Sequence, residues 1–317
     1  MNADAAGYAR SAALLPRAVA VCGTIGTIVA VALGATTTRW GIYGHEIAGR
    51  AAATRLPEAL PAFFRSATEQ LAYLNPEPDR WRGERYRELG EAFRYDHYID
   101  FEVISPGALE ARDRWEYLAA LARAGIAHPP RDAGLLPFHI LELYQRHLVE
   151  WRLWRNERDP AKRRWIEQRI INDAGTLGHY VTDGANPHHT SVHHDRWAEG
   201  YPNPRGFTTE RGFHARFETV FVDAHISVGE LLPYINPHPR VLADVRDEVM
   251  AFLMRSHGRL IRLYELDRVE PFGPETRGVT HEQFTIERLV AGANMLRDLW
   301  WTAWIRSGEE ERRPSGG

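Results

Sequence analysis

Two pairs of histidine and carboxylate residues stand at a spacing that can bind a metal ion. His179 and Asp183 are four residues apart, and so are His214 and Glu218. In a helix, this spacing places both side chains on one face, one turn apart, where they can reach the same ion. One such pair usually forms an ordinary surface contact. A metal site therefore needs further ligands from elsewhere in the chain.

Short segments around these pairs supply the further ligands. After Asp183, the turn Gly184-Ala185-Asn186-Pro187 is stiffened by proline and can fold His189 back toward the carboxylate. Three segments upstream carry histidine or aspartate: Trp40-Gly-Ile-Tyr-Gly-His45, Pro-Asp79-Arg-Trp-Arg82 and Tyr-Asp-His97-Tyr98. Imidazole and carboxylate groups together are the ligand types that suit zinc. The sequence thus predicts a metal centre.

In their order along the chain, these segments resemble the superfamily of zinc-dependent phospholipases C and single-strand-specific zinc nucleases. The resemblance extends from Trp40 to about Glu218, and a weaker similarity is found around Arg288-Leu-Val-Ala-Gly292. It implies an all-α fold, a single-domain multi-helix bundle, that holds three zinc ions. It also implies hydrolysis of phosphodiesters, with a hydroxide between two ions as the nucleophile.

The resemblance also implies a role for each ligand. An amino-terminal Trp40, with its free amine and carbonyl, and His45 would hold one ion. A second ion would be held by Asp79, His97, His179 and Asp183, with Asp183 bridging to the first, and the third by His189, His214 and Glu218. Arg82 matches an arginine that contacts the phosphate in the nuclease branch, so Asp79 and Arg82 are the expected catalytic pair. A solvated loop arginine is the simpler interpretation of Arg82.

Two features depart from the family pattern. A signal peptidase cut after Ala35 would leave four residues ahead of Trp40, so a second cut after Arg39 is needed to free its amine; without it, we expect two zinc ions rather than three. The loop after His189 is also long. His188, and His193 and His194 from this loop, could compete as ligands, but the family spacing of six residues after the aspartate selects His189.

The first 39 residues differ from the rest. Basic residues precede an apolar stretch over residues 18–34, which is typical of a secretory signal. We expect a signal peptide with a short propeptide over 1–39, a hydrolase domain over 40–307 and a disordered tail over 308–317. The protein is then secreted or periplasmic; an uncleaved anchor formed by residues 18–34, with the domain facing outside, is the alternative. The only cysteine, Cys22, lies in this stretch, so a processed chain binds metal through nitrogen and oxygen.

The remainder of the sequence has the pattern of packed helices. Apolar residues recur at three and four spacing, as at Phe213, Phe217 and Val220, and alternating strand patterns are nearly absent. The formal net charge is -3, so no global positive field attracts nucleic acid or anionic lipid.

Two substrate classes, phospholipid and single-stranded nucleic acid or nucleotide, remain open. The glutamate of Gly-Phe-His214-Ala-Arg-Phe-Glu218 resembles the phospholipase branch, whereas Trp-Gly-x-x-Gly-His45 and Asp79-x-x-Arg82 resemble the nuclease branch. We favour a phospholipase C-like enzyme, with a nuclease or nucleotidase as the alternative. Tyr98 can stack on a base, line an acyl-proximal pocket or pack in the core.

A third alternative is an inactive, metal-binding helical module that serves protein interaction. No obligate protein partner is evident from the sequence. Trp300, Trp301 and Trp304 near the C-terminus could contact a membrane surface, although at helical spacing such tryptophans more often belong to the core.

Overall fold

The computed structural model describes residues 41–309, and regular structure in this range is helical. Apart from an isolated antiparallel bridge between Ile99 and Gly134, the described residues form no strand. The predicted all-α, multi-helix fold is confirmed. The α-helices are α1 (Ile42–Thr54), α2 (Ala62–Arg65), α3 (Thr68–Leu74), α4 (Glu77–Arg80), α5 (Arg87–Phe93), α6 (Pro106–Leu109), α7 (Arg114–Arg123), α8 (Pro129–Ala133), α9 (Leu136–Asn156), α10 (Pro160–Ala185), α11 (Phe213–Ala215), α12 (Val222–His225), α13 (Val228–Leu231), α14 (Val245–His257), α15 (Leu260–Val269) and α16 (Val279–Glu309).

Helix α10 is the central element. It begins with a side-chain cap, in which Asp159 accepts hydrogen bonds from the backbone N–H groups of Ala161 and Lys162, and Pro160 occupies the first helical position. Its C-terminal half is buried continuously over residues 173–185 because it packs against α1, α3, α9 and α16. The half of α10 that carries the predicted ligands therefore lies inside the bundle.

Glycines allow α10 to approach α3 closely. A Cβ atom on Gly175 would lie 2.4 Å from the Cβ of Leu74, and one on Gly178 would lie 2.6 Å from the Nδ2 atom of Asn75. Any larger residue at these positions forces the two helices apart. The approach brings the segment after α3, including α4, up to the ligand-bearing half of α10.

The long helix α16 covers the other side of α10. Trp300 is buried and donates a hydrogen bond of 3.3 Å from Nε1 to the carbonyl of Ala174. Trp304 is half-buried, with its ring 5.0 Å from that of Trp151, and Trp301 also packs partly against the core. Core packing, the more common role for such tryptophans, is thus confirmed for Trp300.

Several predictions fall on residues outside the described range. These are the signal or anchor with its cysteine, the zinc ligand Trp40, and most of the tail. Helix α16 continues to Glu309, so the first two residues of the predicted tail are helical. Between residues 41 and 309, no helix is both long and apolar enough to cross a bilayer.

Candidate metal centre

The predicted ligands come from separate elements and meet in the buried interior. They form three groups of potential metal ligands, each with its ligating atoms within 4.8 Å of one another. The groups are His45, Asp79 and His179; His97, His179 and Asp183; and His189, His214 and Glu218. All eight predicted ligands in the described range are included, and the ninth, Trp40, lies outside it. His45, for which we expected Trp40 as the partner, is grouped here with Asp79 and His179.

Asp183 belongs to the second group and faces the other two through its second oxygen atom. Its Oδ2 is 2.8 Å from Nδ1 of His97 and 3.3 Å from Nε2 of His179. Its Oδ1 is 3.5 Å from Nε2 of His45 and 3.6 Å from Nε2 of His189. A carboxylate in this arrangement can bridge two metal ions, as the resemblance implies.

The group of His97, His179 and Asp183 has the spacing of ligands around one ion. Nδ1 of His97 and Nε2 of His179 are 3.0 Å apart, and both face Oδ2 of Asp183. Two ligands of a tetrahedral zinc ion, each at about 2.0–2.2 Å, lie about 3.3–3.6 Å apart. The observed distances are close to this value, so a small outward shift of the two rings admits an ion.

The group of His189, His214 and Glu218 is built from a turn and an irregular helix. Glu218 lies in a π-helical segment, Arg216–Phe221, that continues α11. Its Oε2 is 2.7 Å from Nε2 of His214 and 3.6 Å from Nε2 of His189. The predicted four-residue pair is therefore formed, with His214 in α11 and Glu218 in the π-helical segment that follows.

Hydrogen bonds hold His189 in this orientation. Asn186 ends α10, and its side chain accepts a hydrogen bond of 3.0 Å from the backbone N–H of His188. Nδ1 of His189 is 2.6 Å from the carbonyl oxygen of His97. Because a carbonyl oxygen can only accept a hydrogen bond, Nδ1 of the ring must carry the proton. Its Nε2 is then the atom that faces Asp183 and Glu218. Such contacts behind a ligand fix the ring orientation in metal sites.

His214 is held by the long loop that precedes it. Oδ1 of Asp195 accepts hydrogen bonds from the backbone N–H groups of Gly212, at 2.9 Å, and His214, at 3.3 Å. Gly212 has a φ of 96°, in the left-handed region that favours glycine, and this turn directs the chain into α11. The long loop after His189 thus holds the ligand His214 in place, through Asp195.

Arg82 extends from the end of α4 toward the centre. Its Nη1 is 3.2 Å from Oδ1 of Asp79. Its Nε and Nη2 atoms are buried and have no hydrogen-bond partner among the described residues. The side chain as a whole is 27% exposed, and these two buried N–H groups are available to a bound anion. Arg82 is thus half-buried, with one nitrogen beside Asp79, and its role as a phosphate ligand stays a prediction.

Protonation states favour metal binding at most positions. Burial lowers the pKa of His179 and His189, and that of His97 falls well below its usual value because of burial and the charge of Arg82. Burial alone would raise the pKa of Asp183, but the imidazoles of His189 and His179 hold it well below its usual range. These shifts favour the neutral form of the imidazoles and the ionised form of Asp183, the states in which they bind metal.

His45 is the exception. Burial opposes its charged form, but the carboxylates of Asp183 and Asp79 outweigh this effect and raise the pKa. A metal ion therefore competes with a proton at Nε2 of His45. The same two carboxylates that attract the proton also attract a cation.

The donor set itself fits zinc. Nε2 of His45, both carboxylate oxygens of Asp79, Oδ1 of Asp183 and Nε2 of His189 are buried without a hydrogen-bond partner among residues 41–309. Buried polar atoms rarely remain unsatisfied in a folded protein, and several around one point are suited to bind a cation. Several buried histidine and carboxylate clusters of this protein are therefore able to hold metal ions.

The competing histidines belong to none of these groups. His188 is buried among Phe213, Phe217 and Tyr264, and neither of its ring nitrogens has a hydrogen-bond partner in the described structure. His193 stacks on Trp197 and accepts a hydrogen bond from the N–H of Ala198. His194 is exposed at the surface.

The side chain of Tyr98 reaches the segment around Arg131. Its ring is half-buried, and its hydroxyl donates a hydrogen bond of 2.5 Å to the carbonyl of Arg131. With Arg94, Tyr95, Asp100, Arg131 and His194, it lines a cavity of about 320 Å³. It therefore belongs to a cavity wall rather than to the core.

Comparisons with known proteins do not identify the family. No protein-family model matches the chain, and no curated protein matches it either.

Proposed function

We propose that this protein is a zinc-dependent phosphodiester hydrolase of the superfamily that it resembles. The observation that carries the proposal is the position of Asp183. Its two oxygens face different histidine groups, and the guanidinium of Arg82 reaches into the same buried space beside Asp79. A purely structural zinc site is usually closed by four protein ligands around one ion and does not need eight convergent side chains.

The ligands named above would hold the ions. Bound zinc supplies two kinds of chemistry: it lowers the pKa of a water molecule to about 7 and neutralises charge on a phosphate. The chain itself contributes orientation, because the contacts behind His45 and His189 aim their Nε2 atoms inward. Burial of these groups excludes bulk water and strengthens the electrostatic interactions within the site.

Arg82 would bind the phosphate of the substrate. Its planar guanidinium can donate two parallel hydrogen bonds to phosphate oxygens, and two of its nitrogen atoms have no other partner among the described residues. The contact with Asp79 would hold the arginine beside the bound ions. Asp79 thus connects the metal centre to the phosphate-binding group.

A phospholipid is the substrate that we favour, because the glutamate in the segment from Gly212 to Glu218 resembles the phospholipase branch. A single-stranded nucleic acid or nucleotide is the second candidate, because Trp-Gly-x-x-Gly-His45 and Asp79-x-x-Arg82 resemble the nuclease branch. In both cases, the protein cleaves a P–O bond of a phosphodiester or phosphomonoester. Secretion or periplasmic export remains a prediction from residues 1–39.

One assay distinguishes the candidates. The purified protein is incubated with phosphatidylcholine vesicles, single-stranded DNA and single-stranded RNA, with and without a chelator. Phosphorylcholine release that the chelator abolishes and zinc restores supports a phospholipase, and shortened oligonucleotides support a nuclease. A folded, zinc-loaded protein with no activity on any of the three would instead support the inactive metal-binding module.

A further inference from the structure

Asn75, the residue that follows α3, has a buried amide directly behind His45. Its side chain is fully buried, and its Oδ1 is 2.9 Å from Nδ1 of His45. No feature of the sequence marks this asparagine, which lies 30 residues from the histidine that it contacts. Among the described residues, His45 is the predicted ligand that α1 supplies. The Asn75 side chain contacts the nitrogen of its ring that faces away from Asp183.

The Asn75 amide packs closely against glycines of two helices, α1 and α10. A Cβ atom on Gly49 of α1 would lie 3.0 Å from Nδ2 of Asn75, and one on Gly178 of α10 would lie 2.6 Å from the same atom. Asn75 itself closes α3, with its backbone N–H bonded to the carbonyl of Ala72 at 3.2 Å. The amide is therefore held between α1 and α10 with little freedom to move.

The contact has a chemical consequence at the opposite nitrogen of the ring. An amide oxygen accepts a hydrogen bond, so Nδ1 of His45 carries a proton in this contact. The lone pair of the neutral ring then lies on Nε2, which is 3.5 Å from Asp183 and 4.0 Å from Asp79. Leucine has the same branched shape but offers no acceptor, so this contact would no longer hold the proton on Nδ1.

We propose that Asn75 is a positioning residue that fixes the tautomer and orientation of His45 for metal binding. The inference rests on the proposed metal centre. Asn75 acts through His45 and touches neither the ions nor the substrate. In metal sites, removal of such a hydrogen-bond partner weakens metal affinity by about 10–100-fold.

Three variants of the full protein test the role: Asn75→Leu, which removes the acceptor; Asn75→Asp, which keeps an acceptor oxygen; and Asn203→Leu, a control in a loop where the asparagine bonds to Phe207. Zinc affinity is measured by competition with a chromophoric chelator. The ¹⁵N chemical shifts of the His45 ring report its tautomer, and circular dichroism reports the helical content.

We expect Asn75→Leu to lose about 10–100-fold in affinity for at least one zinc ion while keeping its helical content. Asn75→Asp should restore most of the affinity and the Nδ1–H tautomer, and Asn203→Leu should match the wild type. If Asn75→Leu binds zinc as the wild type does, or if Asn75→Asp loses as much as Asn75→Leu, the positioning role is wrong and the metal centre stands. If Asn75→Leu does not fold, Asn75→Asp alone decides. A changed His45 tautomer in Asn75→Asp would overturn the positioning role. The wild-type tautomer together with the wild-type zinc affinity would support it. A wild-type protein that binds no zinc overturns both proposals.

Discussion

Asp183 is the residue on which the geometry of the centre depends, because it faces four histidines with two oxygens. Replacement by asparagine keeps the shape of the side chain but removes the negative charge and replaces one oxygen by an N–H donor. We expect Asp183→Asn to lose at least one zinc ion per chain and to reduce the affinity for the rest by about 100-fold.

Elemental analysis of the purified variant measures this effect. Asp113→Asn is a matched control, because Asp113 caps α7 and asparagine caps a helix equally well. Wild-type zinc content in Asp183→Asn would show that the carboxylate is not a bridging ligand.

Arg82 allows a separate test of substrate binding. Arg82→Lys keeps the positive charge but loses the planar fork, so we expect kcat to fall by about 100-fold with the zinc content unchanged. Steady-state kinetics on the preferred phosphodiester provide the measurement.

Arg80→Lys is the control for this variant, because Arg80 bonds only to Glu77 and to the carbonyl of Tyr73 among the described residues. Equal rates in Arg82→Lys and wild type would remove Arg82 from the active site.

Helix α10 explains why most of the site follows from local sequence patterns. The pairs of His179 with Asp183 and of His214 with Glu218 were predicted from spacing alone, and both are formed. The contact between His45 and Asn75 could not be predicted, because it depends on how α1, α3 and α10 pack. The hydrogen bond between Asp195 and the backbone of His214 also depends on long-range packing. From the sequence, the long loop that carries Asp195 showed no such role.

The close packing of α10 on α3 is itself testable. In most helices, a glycine to alanine change is stabilising by about 1 kcal/mol. For Gly175→Ala, the new Cβ meets Leu74 at 2.4 Å, so we expect a loss of about 1–3 kcal/mol in the free energy of unfolding.

Gly90→Ala in α5 is the opposite case, since the nearest atom to its Cβ is the carbonyl oxygen of Trp81 at 3.8 Å. It should be neutral or stabilising. Urea unfolding measures both variants, and a stabilised Gly175→Ala would contradict the close approach of the two helices.

Helices α9 and α10 share a second buried polar cluster, away from the metal ligands. Burial and a hydrogen bond with Asp173 raise the pKa of Glu150 to about 8. Arg169 pairs with Glu150, and Arg146 pairs with Asp173. Burial lowers the pKa of the neighbouring His147 to about 3, so His147 remains neutral.

Because the pKa of Glu150 is raised in the folded protein, its protonated form stabilises the fold. This contribution is complete below the unfolded pKa, near 4.5, and is lost as the pH rises through about 8.

We expect Glu150→Gln to remove this dependence. Between about pH 5 and 8, the wild type should lose up to about 1.4 kcal/mol of unfolding free energy per pH unit relative to the variant. Urea unfolding across this range, with the exposed Glu88→Gln as a control, gives the comparison. Parallel pH profiles for wild type and Glu150→Gln would show that Glu150 is ionised in the folded protein.

At the scale of the whole molecule, the fold class and the convergence of ligands were both predictable from the sequence. Helical periodicity predicts the bundle, and segments from residue 45 to residue 218 supply one buried centre. Periodicity cannot reveal the buried atoms that lack a partner. Those atoms appear only when the bundle is assembled, and they are the strongest physical reason to expect metal ions.

Zinc content, measured by elemental analysis of the purified wild-type protein before and after dialysis against a chelator, tests the proposed metal centre most directly. We predict two or three zinc ions per chain before dialysis, with loss of phosphodiester hydrolysis after it and recovery when zinc is restored. A folded protein that contains no zinc, binds none when it is added and keeps the same thermal stability with and without the chelator would contradict the metal centre.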